Sequence, residues 1–150
     1  MEADPIKENG YWFGRADLAD LPAIFALYQS VVGTRGCTWS EEYPNEEILR
    51  DDFERYALYC VKNEQGKILA AVSVDADPIV DALANWSVPD AKTGRISAEL
   101  ARLAVCPECQ NRGVAPCMIR YMEAALCKGD VHRAPVQYVH FLVSQDNEKA

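Results

Sequence analysis

Positive charge is in short supply against negative: 15 Lys and Arg stand against 23 Asp and Glu, giving a net charge of −8. A face that neutralises nucleic-acid phosphates needs clustered Lys and Arg, so nucleic acid is excluded as an expected partner. The acid surplus favours solubility and suits a cationic small molecule. No run of about 18 apolar residues occurs, so no membrane-spanning helix is expected. The opening Met1-Glu2-Ala3-Asp4 lacks the basic start and apolar stretch of a secretory signal, and the expected location is the cytoplasm. Histidine is scarce, with only His132 and His140, and His140 alternates within a predicted strand as a structural residue. Repeats and low-complexity tracts are missing. At 150 residues, 49% of them apolar, the chain is read as one domain, 1–150, with a real core.

Six cysteines are spread along the chain at 37, 60, 106, 109, 117 and 127. Without a secretory signal, free thiols are the better reading. Cys106-Pro107-Glu108-Cys109 has CxxC spacing, but a structural zinc needs four ligands, usually as two close pairs. Cys117, Cys127, His132 and His140 supply no second close pair, so no metal is expected. A zinc or redox module on Cys106 and Cys109 is kept as a third functional class, which predicts bound metal or a reversible disulfide.

Residues 1–10 read as a polar, frayed start, followed by a strand at Tyr11–Arg15. Asp17 is the expected N-cap of a helix with Leu18, Leu21, Ile24, Phe25, Tyr28, Val31 and Val32 at helical spacing, stopped by Gly33. Asn45 caps a second helix, with Glu46 and Glu47 in its first turn and Ile48, Leu49, Phe53 and Tyr56 on its apolar face. Ala57–Lys62 and Ile68–Val74 form an antiparallel hairpin around Asn63-Glu64-Gln65-Gly66. Ile79–Trp86 is a short helix at most, and a strand follows at Ile96–Val105. A helix from Val114 to Cys127 turns Val114, Met118, Tyr121, Met122 and Ala125 inward, with Pro116 tolerated in its first turn. Val136–Val143 is the last strand.

The most informative stretch runs from Glu99 to Ala115. It reads as a half-buried strand, a loop with the order Gln110-Asn111-Arg112-Gly113-Val114-Ala115, and a helix start. Such a junction points backbone N–H groups outward at a helix N-terminus, an anion site suited to a pyrophosphate. Gly113 permits close backbone approach. Strict alternation puts Glu99, Ala101, Leu103 and Val105 on one face of the strand, and Leu100, Arg102 and Ala104 on the other. Arg102 then sits at a partly wet edge or pairs with an acid.

The run Leu103-Ala104-Val105-Cys106-Pro107, continued by Gln-x-Arg-Gly-x-Ala and placed after a hairpin, resembles the acyl-CoA-binding segment of the GNAT N-acetyltransferase superfamily. The element order β-α-α-β-β-β-α-β is similar to the GNAT core, from Trp12 to Ala150. Tyr43–Tyr59, Asp77-Pro78 and Trp86 resemble a subgroup of small GNAT proteins. The resemblance implies an α/β fold with a mixed, mostly antiparallel sheet, a splayed central strand pair and flanking helices. It implies acetyl-CoA as co-substrate. Leu103, Ala104 and Val105 would line the pantetheine arm, and Gln110, Asn111, Arg112, Gly113, Val114 and Ala115 would cradle the pyrophosphate. Asn147, in Ser144-Gln145-Asp146-Asn147, corresponds to an Asn that contacts the pantetheine arm. Glu99, six residues before Val105, lies where several GNAT enzymes keep a general base able to deprotonate an alkylammonium. Tyr28, Trp39, Tyr43 and Trp86 come from regions that line the acceptor side.

The chain departs from the family at Ala150. The helix carrying the Tyr that often protonates the departing thiolate should start there, and two further strands should follow it. Three explanations stay open: a shortened chain, a partner subunit such as a second copy completing the sheet, or a relative without activity. The expected function is acetyl transfer to a primary amine of a small-molecule or peptide acceptor by direct attack. The alternative is an inactive acyl-CoA-binding or assembly module.

Overall fold

The computed structural model describes residues 6–8, 10–34, 37, 39–75, 97–110, 112–130, 135–136 and 138–140. The expected helix at Ile79–Trp86, with Trp86 itself, lies outside the described residues, as do Asn111, Asn147 and the end of the last expected strand.

The strands are β1 (Ile6–Glu8), β2 (Tyr11–Arg15), β3 (Leu58–Lys62), β4 (Ile68–Asp75), β5 (Ser97–Val105) and β6 (Tyr138–His140). They form one sheet in the order β1-β2-β3-β4-β5-β6. Every pairing is antiparallel except β5 with β6, which run parallel. The mixed, mostly antiparallel sheet expected from the sequence is therefore present. Among the described residues the parallel pair is joined over Ser97–Glu99, opposite Tyr138–His140. Strand β1 replaces the expected frayed start: Ile6 pairs with Phe13 and Lys7 with Trp12. Its overlooked signal in the sequence is the dipeptide Asn9-Gly10, a type that favours hairpin loops; Gly10 takes φ +81°.

Helix α1 (Leu21–Val31) follows a short 3₁₀ turn at Leu18–Asp20. The helix was expected to begin directly after Asp17. Pro22 sits in its first turn, where a missing N–H costs nothing. Helix α2 (Glu46–Glu54) starts as expected, with the Ile48 N–H donating to Asn45 Oδ1 at 2.8 Å. It stops before Tyr56, which was expected on its apolar face. Tyr56 takes φ +57°, its N–H donates to Phe53 O, and the Ala57 N–H donates to Asp52 O. That is a Schellman ending built without glycine, and it leaves the Tyr56 ring exposed. Helix α3 (Val114–Lys128) runs between Gly113 and Gly129. Val114, Met118, Tyr121 and Met122 are buried as expected; Leu126 joins them, while Ala125 is only partly covered.

Two cores lie back to back on the sheet. One joins α3 to Val72, Val74, Ala98 and Leu100; the other joins α1 and α2 to Leu58, Cys60, Ala71 and Ala104. The strict alternation expected along β5 does not hold. Ser73 pairs with Ala101 and Ala71 with Ala104, so β5 spends three steps where β4 spends two. One residue is extra, a bulge, and Arg102 within it has φ +50°. Ahead of the bulge, Ala98 and Leu100 face α3; after it, Leu103 and Val105 do, and Ala104 faces the other core. Glu99 therefore does not share a face with Leu103 and Val105.

Candidate functional site

The loop after β5 is built by local hydrogen bonds. Pro107–Cys109 is a 3₁₀ turn in which the Cys109 N–H donates to Cys106 O at 2.8 Å. Gln110 is half-buried at its end, and its side-chain amide donates to Val105 O at 3.3 Å, tying the loop back to the strand. Arg112 and Gly113 are exposed. Gly113 is the N-cap of α3 with φ +81°, and a Cβ added there would meet nothing within 4 Å. The Cys117 N–H returns to Gly113 O. Helix starts leave their first N–H groups without intrahelical partners, Pro116 has none to offer, and Gly113 has no side chain to cap the rest. Among the described residues the junction thus presents helix-start donors without a side-chain cap, beside open space at the positive end of a 15-residue helix. Val114 is buried and Ala115 half-buried, so both contribute backbone here. Such a helix start is suited to an anion.

The cysteines of this loop are free thiols, like the other four. Cys106 is buried and its Sγ donates to Glu108 Oε2 at 3.2 Å, while Lys67 Nζ bonds the same carboxylate at 3.0 Å. Burial, then the bond to Glu108, pushes the Cys106 thiol upward. Among the described residues no group of three or more His, Cys, Asp or Glu side chains is placed to hold a metal ion.

The second half of the site lies on the opposite face, at the bulge. Asp52 of α2 is 1% exposed and accepts four hydrogen bonds. Ser73 Oγ donates to its Oδ2 at 2.7 Å. Arg102 Nε donates to Oδ2 at 2.7 Å and Arg102 Nη2 to Oδ1 at 2.9 Å, a two-pronged pairing. Arg55 Nη2 also reaches Oδ1. Asp75 accepts from Arg102 Nη2 at 2.8 Å and from Arg55 Nη2 at 3.1 Å. The Arg102 guanidinium is only 9% exposed. Burial lowers its pKa, but the bonds to Asp52 and Asp75 more than offset that, and the net displacement is upward. Removing one partner from so buried a pair costs about 3–5 kcal/mol.

Above this cluster opens a cleft of ≈ 680 Å³ lined by α2, Tyr43, Asp75 and Arg102. Tyr43 is 42% exposed, and its hydroxyl stands 3.4 Å from Arg102 Nη1. Tyr28 lies deeper, in the core, with its hydroxyl buried beside Ser73 and out of hydrogen-bond geometry with any described residue. Burial foremost pushes that hydroxyl's pKa upward. Trp39 packs edge-on against Tyr28, with ring centroids 5.4 Å apart. Of the expected acceptor-side aromatics, Tyr43 lines the cleft, while Tyr28 and Trp39 pack together in the α1–α2 core. Glu99 is half-buried on β5, directly opposite Asp75 and three residues before Arg102.

Asp52, Ser73, Asp75 and Arg55 were not singled out from the sequence. Asp52 did carry a signal: it stands three residues after Leu49 and beside Phe53, a carboxylate on the apolar side of its helix. Arg102 was expected to be wet or paired with an acid, and it is paired.

No family model and no curated protein matches the sequence. Solved structures do resemble it. A GNAT-family acetyltransferase from Streptococcus agalactiae 2603 superposes with TM-score 0.64 at 17% identity, over 78% of this chain and 71% of that one. A GNAT-family acetyltransferase from Brucella melitensis, in complex with acetyl-CoA, gives 0.54 at 13% identity, over 78% and 68%. The ribosomal-protein-S18-alanine N-acetyltransferase from Escherichia coli gives 0.51 at 20% identity, over 76% of this chain. The chain spans 57% of that enzyme. The fold is that of the GNAT N-acetyltransferases.

Proposed function

We propose that this chain binds acetyl-CoA and transfers its acetyl group to a primary amine. The observation that carries the reading is the junction at Gly113: a GNAT fold whose β5–α3 loop ends in an uncapped helix start with open space over a left-handed glycine. Acetyl-CoA supplies an activated acyl group as a thioester. The backbone of Gln110, Arg112, Gly113, Val114 and Ala115, with Asn111, would hold the phosphates, and Arg112 adds charge. Leu103, Ala104 and Val105 offer strand backbone to the pantetheine arm, in the manner of an added strand, and Asn147 would hold the same arm. On the other face the cleft carries five carboxylates, among them Glu47, Asp51 and Glu54, against three guanidiniums. That balance suits a cationic amine. Glu99 accepts the amine's proton, directly or through a water, while Tyr28, Trp39, Tyr43 and Trp86 shape the acceptor side.

Calorimetric titration with acetyl-CoA tests the reading. Wild-type protein shows saturable binding. Gly113→Trp fills the open space and Arg112→Glu reverses the charge, and each weakens binding by at least about tenfold while circular dichroism stays native. Folded wild-type protein that takes up no acetyl-CoA at millimolar concentration overturns the proposal. Binding with turnover on an amine panel, lowered by Glu99→Gln, supports transfer. Binding with no turnover on any amine assigns the chain to the alternative, an acyl-CoA-binding module.

A further inference from the structure

Arg102 is a costly residue where it stands. Its φ of +50° lies in the left-handed region, which glycine enters freely and any residue with a Cβ resists. A bulge by itself would be served better by glycine. The side chain must therefore contribute something the backbone cannot, and its contacts show what it fastens. Nε and Nη2 grip both oxygens of Asp52 on α2, at 2.7 and 2.9 Å. Nη2 also reaches Asp75 on β4 at 2.8 Å, and Nη1 stands 3.4 Å from Tyr43 Oη. Ser73, the neighbour of Ala101 across the sheet, holds the Asp52 carboxylate from behind. The bulge of β5 is thus clamped to a helix and to the adjacent strand at once. A bulge leaves a residue unpaired and interrupts the ladder, so its backbone donors would otherwise wander. The clamp lies on the α1–α2 face, away from the Gly113 junction.

Resting on the acyl-CoA reading above, we propose that Asp52 and Arg102 are positioning residues whose ion pair fixes the β5 bulge so that the strand backbone there is held in place to polarise the thioester carbonyl. Neither side chain needs to touch the acyl group. The pair acts through the strand, and the anchoring of the phosphates is left to the loop.

The test is infrared difference spectroscopy of acetyl-CoA isotope-labelled at the thioester carbonyl, bound to wild type, Arg102→Gly and Asp52→Asn. A hydrogen bond to the carbonyl lowers its stretching frequency, a signal that needs no acceptor and no turnover. Wild type shows a sharp, lowered band. Arg102→Gly keeps the left-handed backbone free of strain and loses only the clamp. It binds within about tenfold of wild type, yet its band returns toward the free value and broadens. Asp52→Asn behaves alike. Should that variant fail to fold, Arg102→Gly decides the matter alone. An unchanged lowered band in Arg102→Gly overturns the role, as does loss of binding by that variant with its fold intact. Wild type that binds nothing overturns the acyl-CoA reading, and the role with it.

Discussion

At the scale of single residues, Cys60 has a measurable consequence at alkaline pH. Its thiol is 3% exposed in the core. Burial first, and the nearby negative charge of Asp20 second, push its pKa to about 12. In the unfolded chain a thiol titrates near about 8.5. Between those values the unfolded chain releases a proton that the folded chain retains, so stability is full below the window and falls as pH rises through it. Tyr28, also displaced upward by burial, adds a fall in the same direction above about pH 10. Urea midpoints taken from about pH 8 to about pH 11 should therefore decline. Cys60→Ala should start lower and decline less steeply, and equal slopes would show that Cys60 is not the source.

Residue-level legibility divides on backbone conformation. Gly33 and Gly66 were readable as helix-stop and turn glycines and Gly113 as a point of close backbone approach, and each has positive φ. Tyr56 and Arg102 have it too, and nothing in their residue type announces that. A left-handed tyrosine or arginine costs about 1–2 kcal/mol and survives only where its surroundings hold it. Asp52 and Asp75, which hold Arg102, are distant from it in sequence.

Among the elements, α2 is the one whose ends do most for the site, because it carries Asp52 into the sheet. Its start depends on the bond from the Ile48 N–H to Asn45 Oδ1. Asn45→Ala should lower stability by about 1 kcal/mol, read from denaturant midpoints, whereas Asn45→Asp should retain most of it. Element existence followed from apolar spacing and turn chemistry: α1, α2, α3, the β3–β4 hairpin and β5 all stand close to their expected bounds. What failed was the face assignment of β5, since a single extra residue inverts alternation beyond it. Of the site elements, the strand–loop–helix of Leu103–Ala115 was readable because its donors belong to consecutive residues. The cleft was not, because it is assembled from α2, β4 and β5.

Across the whole molecule, two cores share one sheet. Met118 is fully buried in the α3 core, while Trp39 packs against the α1–α2 core. Met118→Ala should cost about 2–5 kcal/mol. If the sheet couples the two cores into one cooperative unit, tryptophan fluorescence and far-UV circular dichroism lose their signals at the same denaturant concentration in that variant. Separate transitions would show that the faces unfold independently.

Local chemistry in the chain itself determined the periodic elements, the capping at Asn45, the Asn63–Gly66 turn and the glycine at the helix start. Each depends on neighbours within a few residues, so the order of side chains suffices. Tertiary structure alone decided the bulge at Arg102, the side of the sheet that Glu99 faces, and the burial of Asp52 beneath Arg102 and Arg55. Those depend on strand register and on charges brought together from α2, β4 and β5. Such contacts become favourable only after the sheet has closed and taken the carboxylate out of water.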